Sequence, residues 1–282
     1  MTPASAEVHA TIDYLVPTSR INRRFWAPGK EYNTGSYAPQ AVTIRNARLA
    51  DPFTLAEHGF CLGHHHTDII DWESNYGPAT AYAAQVCVVA RRLTGADLAV
   101  PMGGMIRTSG RTSATIQPPA AEAHVDFTQR SAERIAAAIY GETHPDGPGY
   151  TRFIAFSLWR ALSAPPQDMP LALCDGHTVR DDEGTPNTKV DVDEIPTGDA
   201  LFAPIPGEET MAAATIFHHS PEHRWWYFPD MTPDEVILIK FYDSDHSKAW
   251  RCPHTAFRDT TRSDAVERRS MEFRGIAYFS RS

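Results

Sequence analysis

The chain has 282 residues, 42% of them hydrophobic, and a formal charge of −9, which allows one large core and argues against nucleic acid, whose phosphate backbone calls for clustered Lys and Arg. No apolar run approaches the roughly 18 residues that cross a bilayer, so no membrane span is expected, and Met1–Ala10 lacks the basic and apolar stretches of a signal peptide. Cys61, Cys87, Cys174 and Cys252 lie far apart without CxxC spacing, which excludes zinc ribbons and a disulfide framework and fits a soluble protein in the reducing cytoplasm.

No repeat, heptad or low-complexity tract divides the chain, so it is read as a single domain, 1–282. The 22 prolines punctuate short strands and loops better than long helices. Residues 1–110 read as an N-terminal α+β decoration, and helical periodicity is clearest at Pro78–Leu93, where alanines and valines recur on one face. The core follows over 111–282. It begins with a second helical stretch, Ser131–Tyr140, and continues as strands at Thr151–Leu162, Pro170–Cys174, Glu208–His219, His223–Phe228, Glu235–Tyr242 and Ser270–Phe279. Pro- and Asp-rich turns between these strands predict a mainly β sandwich or barrel rather than a parallel α/β sheet. Arg180–Ala200, acidic and rich in Gly and Thr, reads as an exposed loop.

In AEAHVDFTQ, His124 and Asp126 are two apart, and on a strand such residues project from the same face. They can offer one ion an imidazole nitrogen and a carboxylate oxygen. His254, in WRCPHTAF, can complete a two-His, one-carboxylate set that leaves coordination positions open for a 2-oxo acid and O2, as a non-haem iron site requires. Arg268 then opens the last strand, with Ser270 two residues on. A guanidinium pairs a carboxylate through two charge-assisted bonds, and the hydroxyl faces the same way.

Other histidines fit a metal less well. His64, His65 and His66 are consecutive, so their side chains alternate in direction and cannot all reach one ion. His218, His219 and His223 read as surface or packing residues, and Cys252 as a small buried thiol.

The runs FSLWRALSAPPQDMPLALCDGHTV (Phe156–Val179) and HRWWYFPDMTPDEVILIKFYDS (His223–Ser244), with PHTAF (Pro253–Phe257) and RRSMEFRGIAYF (Arg268–Phe279), resemble a family of non-haem iron hydroxylases and desaturases. That family is frequent in fungal and bacterial secondary-metabolite clusters and includes the fungal gibberellin desaturase and a cephamycin 7-methoxylation component. The resemblance spans residues 50–282. It implies a double-stranded β-helix (jelly-roll) fold with flanking helices, and an enzyme that uses Fe(II), 2-oxoglutarate and O2. It places the metal on His124, Asp126 and His254, and the cosubstrate on Arg268 and Ser270. Ser157 and Ala161 stand where the family pattern calls for asparagine and proline, and the triple histidine is not part of that pattern.

The expected activity is hydroxylation, desaturation or oxidative cyclisation of a small carboxylate-bearing metabolite, with release of succinate and CO2. A metal-binding jelly-roll without turnover and a zinc hydrolase are the rival readings. The hydrolase lacks an extra general base such as the glutamate of HExxH. Arg160 is a candidate cosubstrate contact. Trp159, Tyr227, Lys240, Phe273 and Arg274 are candidates for the substrate pocket, with Trp225, Trp226 and Met271 as further wall. Lys240 also reads as an edge device in EVILIKFY. Arg274 shares a face with Arg268 and is the alternative partner for the oxo acid.

Overall fold

The computed structural model describes residues 4–28 and 30–280. In chain order its elements are β1 (Glu7–Leu15), β2 (Arg23–Ala27), β3 (Lys30–Asn33), β4 (Tyr37–Asn46), β5 (Phe60–His64), α1 (Ala81–Thr94), β6 (Leu98–Thr108), β7 (Ile116–Gln117), β8 (His124–Val125), α2 (Gln129–Thr143), β9 (Tyr150–Ala161), β10 (Leu171–Cys174), β11 (Thr185–Asp191), β12 (Ala213–Ile216), β13 (Trp225–Tyr227), β14 (Glu235–Asp243), β15 (His254–Ala256) and β16 (Arg269–Ser280), with short 3-10 turns between them. Among the described residues the strands form a ten-stranded sheet, β1-β4-β13-β10-β15-β8-β12-β11-β2-β3, and a six-stranded sheet, β5-β14-β9-β16-β6-β7. This is the mainly β, jelly-roll type of architecture expected, built as two sheets rather than one closed barrel. No helix among the described residues is long and apolar enough to cross a membrane.

Alternation on the six-stranded sheet divides the core in two. Trp159, Ile237, Ile239, Phe241 and Ile276 point toward the large sheet and meet Leu171, Leu173 and Val125. Phe156, Leu158, Leu238, Met271 and Phe273 point the other way, under α1. This sheet is therefore apolar on both faces, which is why β14 is buried along its whole length and reads as a nearly unbroken apolar run.

Helix α1 covers the outer face with Tyr82, Ala83, Val86, Val89 and Ala90. The Thr80 side chain caps its start by accepting from the Ala83 N–H. Gly95 ends it at φ 75°, donating to the Arg91 carbonyl 2.8 Å away. A left-handed residue at that position favours glycine, and the pair of caps satisfies groups the helix would otherwise leave open.

Three expectations are revised. Residue 110 is no break in the sheets: β6 pairs along β16 and β5 along β14, while β1 and β4 extend one end of the large sheet and β2 and β3 the other. Within Arg180–Ala200 lies a strand, β11, which pairs with β12 and runs parallel to β2. Of Glu208–His219 only Ala213–Ile216 is a strand, because Gly207 at φ 75° starts a 3-10 turn over Glu208–Thr210.

Candidate metal centre

Strands β8 and β15 are neighbours in the large sheet, and His254 stands opposite His124 in their register. Cross-strand partners share a face, so residues far apart in sequence meet with ring centroids 4.5 Å apart. Asp126 follows β8 immediately, and its Oδ1 lies 3.3 Å from His124 Nε2. One ligand atom from each of the three comes within 4.8 Å of the others.

Both rings are fixed by their other nitrogen. His124 Nδ1–H donates to the Glu122 carbonyl at 2.9 Å, and His254 Nδ1–H donates to the Cys252 carbonyl at 3.2 Å. A carbonyl can only accept, so each ring carries a proton on Nδ1 and turns Nε2 inward, the nitrogen a metal would take. Phe241 stacks on His254 at 5.4 Å. Burial, together with the charge of His124, pushes the His254 imidazole down to about 4, which keeps it neutral. Burial pushes the Asp126 carboxyl up, but Arg274 and His124 outweigh it and hold the group anionic. Burial pushes the His124 imidazole down, but Asp126 and Glu122 outweigh it and raise it, so a metal would displace a proton from this ring. Two imidazoles and one carboxylate form a borderline donor set suited to Fe(II).

Behind the histidines, Trp159, Ser157, His124, His254 and Arg268 line a small cavity of about 20 Å³. Arg268 is 2% exposed. It donates through one terminal nitrogen to the Met169 carbonyl at 2.7 Å and lies 5.8 Å over Trp159. Its Nε, with Ser157 Oγ and Ser270 Oγ, is buried without a hydrogen-bond partner among the described residues. Burial and repulsion by Arg107 push this guanidinium down to about 9. A buried cation with spare donors is costly unless an anion meets it, so these residues fit the far carboxylate of a diacid.

A larger cavity of about 420 Å³ shares His124 and Arg107 with the small one and is lined in addition by Trp26, Met105, Phe127, Lys189, Asp126 and Arg274. Most cations here are already paired. Arg24 meets Glu122, Arg107 Nε meets Glu272 at 2.7 Å, and Arg274 Nε lies 2.7 Å from Asp126 Oδ2.

Of the residues singled out from sequence, His124, Asp126, His254, Arg268, Trp159 and Arg274 line the two adjoining cavities, while Ser270 is buried two residues beyond Arg268 and lines neither. Arg160 is not among them. It points to the outer face of the small sheet and bonds Tyr82, the Pro233 carbonyl and His65. Phe273 faces the same way, edge-on to Tyr82 at 5.6 Å, and Met271 joins it. Lys240 is neither an edge device nor a pocket cation: fully buried in a central strand, it pairs with Asp243 at 2.6 Å and donates to the Ala249 carbonyl. Tyr227 abuts Phe257 beside Asp259 and Arg262, away from both cavities. Trp225 donates to the Tyr14 hydroxyl, and Trp226 packs on Phe53.

The three consecutive histidines separate as expected. His65 meets Arg160 and His66 meets Asp234, while Cys252 is a buried thiol bonded to the Cys174 carbonyl. Sequence reasoning missed Arg24, Arg107, Glu122, Lys189 and Glu272. One signal for Glu272 was present: Arg268, Ser270, Glu272 and Arg274 recur at period two, a polar row opposite the apolar Met271 and Phe273.

A family model described as "Oxidoreductase/YMDC permease-like domain" matches residues 12–278. The chain is 27% identical to "Fe(II)/2-oxoglutarate-dependent dioxygenase nvfI" of Aspergillus novofumigatus, over 90% of this chain and 88% of that protein. It is 27% identical to "Hydroxylase/desaturase efuI" of Hormonema carpetanum, over 86% and 85%. Its fold matches the solved structure of an "iron and alpha-ketoglutarate-dependent endoperoxidase NvfI" with a TM-score of 0.81 and 24% identity, covering 99% of this chain and 100% of that one. These likenesses agree with the hydroxylase and desaturase family expected from the motifs.

Proposed function

The chain belongs to the family described as Oxidoreductase/YMDC permease-like domain, and from that premise we propose that it is an Fe(II)- and 2-oxoglutarate-dependent oxygenase of a small-molecule substrate. The observation that carries the reading is the conjunction of two sites in one interior. One is the inward-facing set on His124, Asp126 and His254. The other is the pair of orphaned buried donors of Arg268 and Ser157, which line the small cavity that also touches His124 and His254.

Iron(II) held by the triad would, with 2-oxoglutarate and O2, supply the oxidising chemistry and release succinate and CO2. Glu122 and Cys252 carbonyls keep Nε2 of His124 and His254 turned inward. Arg268 and Ser270 hold the far carboxylate of the oxo acid, and Trp159 walls that cavity from water. Arg268 suits this role better than Arg274, because Arg274 is committed to Asp126 and Glu272.

The larger cavity takes the organic substrate, with Trp26, Met105, Phe127 and Ile216 as apolar wall. Lys189 is the cation best able to receive a substrate carboxylate. Its present partner is Asp191, and both are largely exposed, so that pair contributes no more than about 1 kcal/mol and is readily exchanged. This supports a carboxylate-bearing metabolite that is hydroxylated, desaturated or cyclised. The four cysteines are free, which supports a cytoplasmic setting.

The test is iron-dependent succinate formation across a panel of small organic acids. Stimulation by members of that panel is expected; stimulation by neutral polyols or proteins alone, with none by any acid, would sink the substrate assignment.

A further inference from the structure

Resting on the triad reading, we propose that Arg274 is a positioning residue that occupies one oxygen of Asp126, so that the carboxylate offers the metal a single donor. Arg274 Nε forms an ion pair with Asp126 Oδ2 at 2.7 Å, close in charge though not aligned as a hydrogen bond, while Asp126 Oδ1 is the oxygen turned to His124 Nε2, at 3.3 Å. The two carboxylate oxygens thus have different tasks. Arg274 is held in turn: its terminal nitrogen donates to Glu272 Oε1 at 2.5 Å, Glu272 Oε2 accepts from Arg107 Nε at 2.7 Å, and Arg107 donates to the Pro118 carbonyl at 2.9 Å.

The row is built into the fold. Arg274 and Glu272 lie two apart on β16, and Arg107 is on β6, the neighbouring strand that pairs along β16. An arginine planted on a strand and tied by a second carboxylate cannot swing away from Asp126 without breaking both pairs.

The consequence is a coordination count. A carboxylate free to chelate takes two positions, and with two imidazoles it leaves only two for oxo acid and O2 together, which need three. With Oδ2 engaged by Arg274, three remain open. Loss of Arg274 then acts on the cosubstrate more than on the metal. It also removes a positive charge beside a dication, so metal affinity is not lowered.

The experiment is an anaerobic titration of wild type, Arg274→Met and Arg274→Lys, first with Fe(II) or Co(II) alone and then with 2-oxoglutarate on the metal-loaded protein. Melting temperature is recorded for each. The expected result is that Arg274→Met keeps or tightens metal binding but loses tenfold or more in 2-oxoglutarate affinity. Arg274→Lys, which keeps a cation at Oδ2, should recover most of that loss. Equal weakening of metal and 2-oxoglutarate in step with a lower melting temperature would mark Arg274 as merely structural, and unchanged 2-oxoglutarate affinity in Arg274→Met would overturn the proposal. Failure of the triad reading is separable, because wild type would then bind no metal through His124, and His124→Ala would titrate like wild type.

Discussion

His124 and His254 face one another across two neighbouring strands, and each spends its Nδ1–H on the carbonyl of the residue two before it. The strand pairing brings the rings together, and each ring's own segment fixes where its Nδ1 proton points. The site is prepared for a cation before any cation arrives, because the pleat puts Nε2 of both rings on the inner side.

Replacing either histidine by alanine should abolish iron-dependent succinate formation and weaken metal binding by more than the roughly tenfold to hundredfold that is lost when only an outer partner of a ligand is removed. Circular dichroism should stay that of wild type. Asp126→Ala belongs in the same series if chloride is left out, since an anion can refill its position. Near wild-type turnover in any of the three would remove that residue from the ligand set.

Arg268→Met should separate binding from stability. A bidentate charged pair contributes about 1.5–3 kcal/mol, so 2-oxoglutarate affinity should fall roughly tenfold to a hundredfold. Without cosubstrate the same variant should melt no lower than wild type, because it removes a buried guanidinium that, among the described residues, forms no ion pair within bonding distance and leaves its Nε without a hydrogen-bond partner. A large fall in melting temperature with unchanged 2-oxoglutarate affinity would contradict the assignment.

What sequence could yield here followed from local spacing. His124 and Asp126, or Arg268 and Ser270, are two apart on extended chain, and that spacing alone puts each pair on one face. Which face looks inward was not legible for Arg160, Phe273 and Met271. The small sheet is covered on both sides, so apolar and polar residues alternate into two different interiors. Strand β11 was hidden because its TPNTKVD sequence has a proline, an asparagine and a single apolar residue, so it lacks the β-branched run that marks a strand. Its partner strand β2 is far away in sequence. The ion pairs Arg24 with Glu122 and Arg107 with Glu272 span 98 and 165 residues, beyond any local pattern.

Lys240 offers a check on the two-interior division. If it serves the fold, Asp243→Asn should cost about 3–5 kcal/mol, as breaking a buried pair does. Lys240→Met should cost less, since Asp243 keeps Arg152 at 2.6 Å. Both variants, where folded, should bind 2-oxoglutarate like wild type in equilibrium titration. A selective loss of that binding in Lys240→Met would return Lys240 to the site.

Glu272 gives the protein an acid-side signature. Burial pushes its carboxyl up, but Arg107 and Arg274 outweigh this and hold it at about 2, below the usual value near 4.3 for a free glutamate. A depressed folded-state pKa contributes stability that is fully present above the unfolded value and is lost as pH falls toward the folded one. The stability advantage of wild type over Glu272→Gln should therefore be constant above about pH 5 and shrink between roughly pH 4.5 and 2. Thermal melts of the pair across that window check it, and a gap that widens on acidification would show the sign to be wrong.

The central claim is that one interior holds iron on His124, Asp126 and His254 and a 2-oxo acid beside it. Its most direct measurement is an anaerobic addition of Fe(II) and 2-oxoglutarate to the apoprotein, followed by visible absorption. A weak metal-to-ligand charge-transfer band that requires both additions, and that is missing in His254→Ala, is the predicted result. Tight zinc binding by the same residues with no such band from iron and 2-oxoglutarate would contradict it.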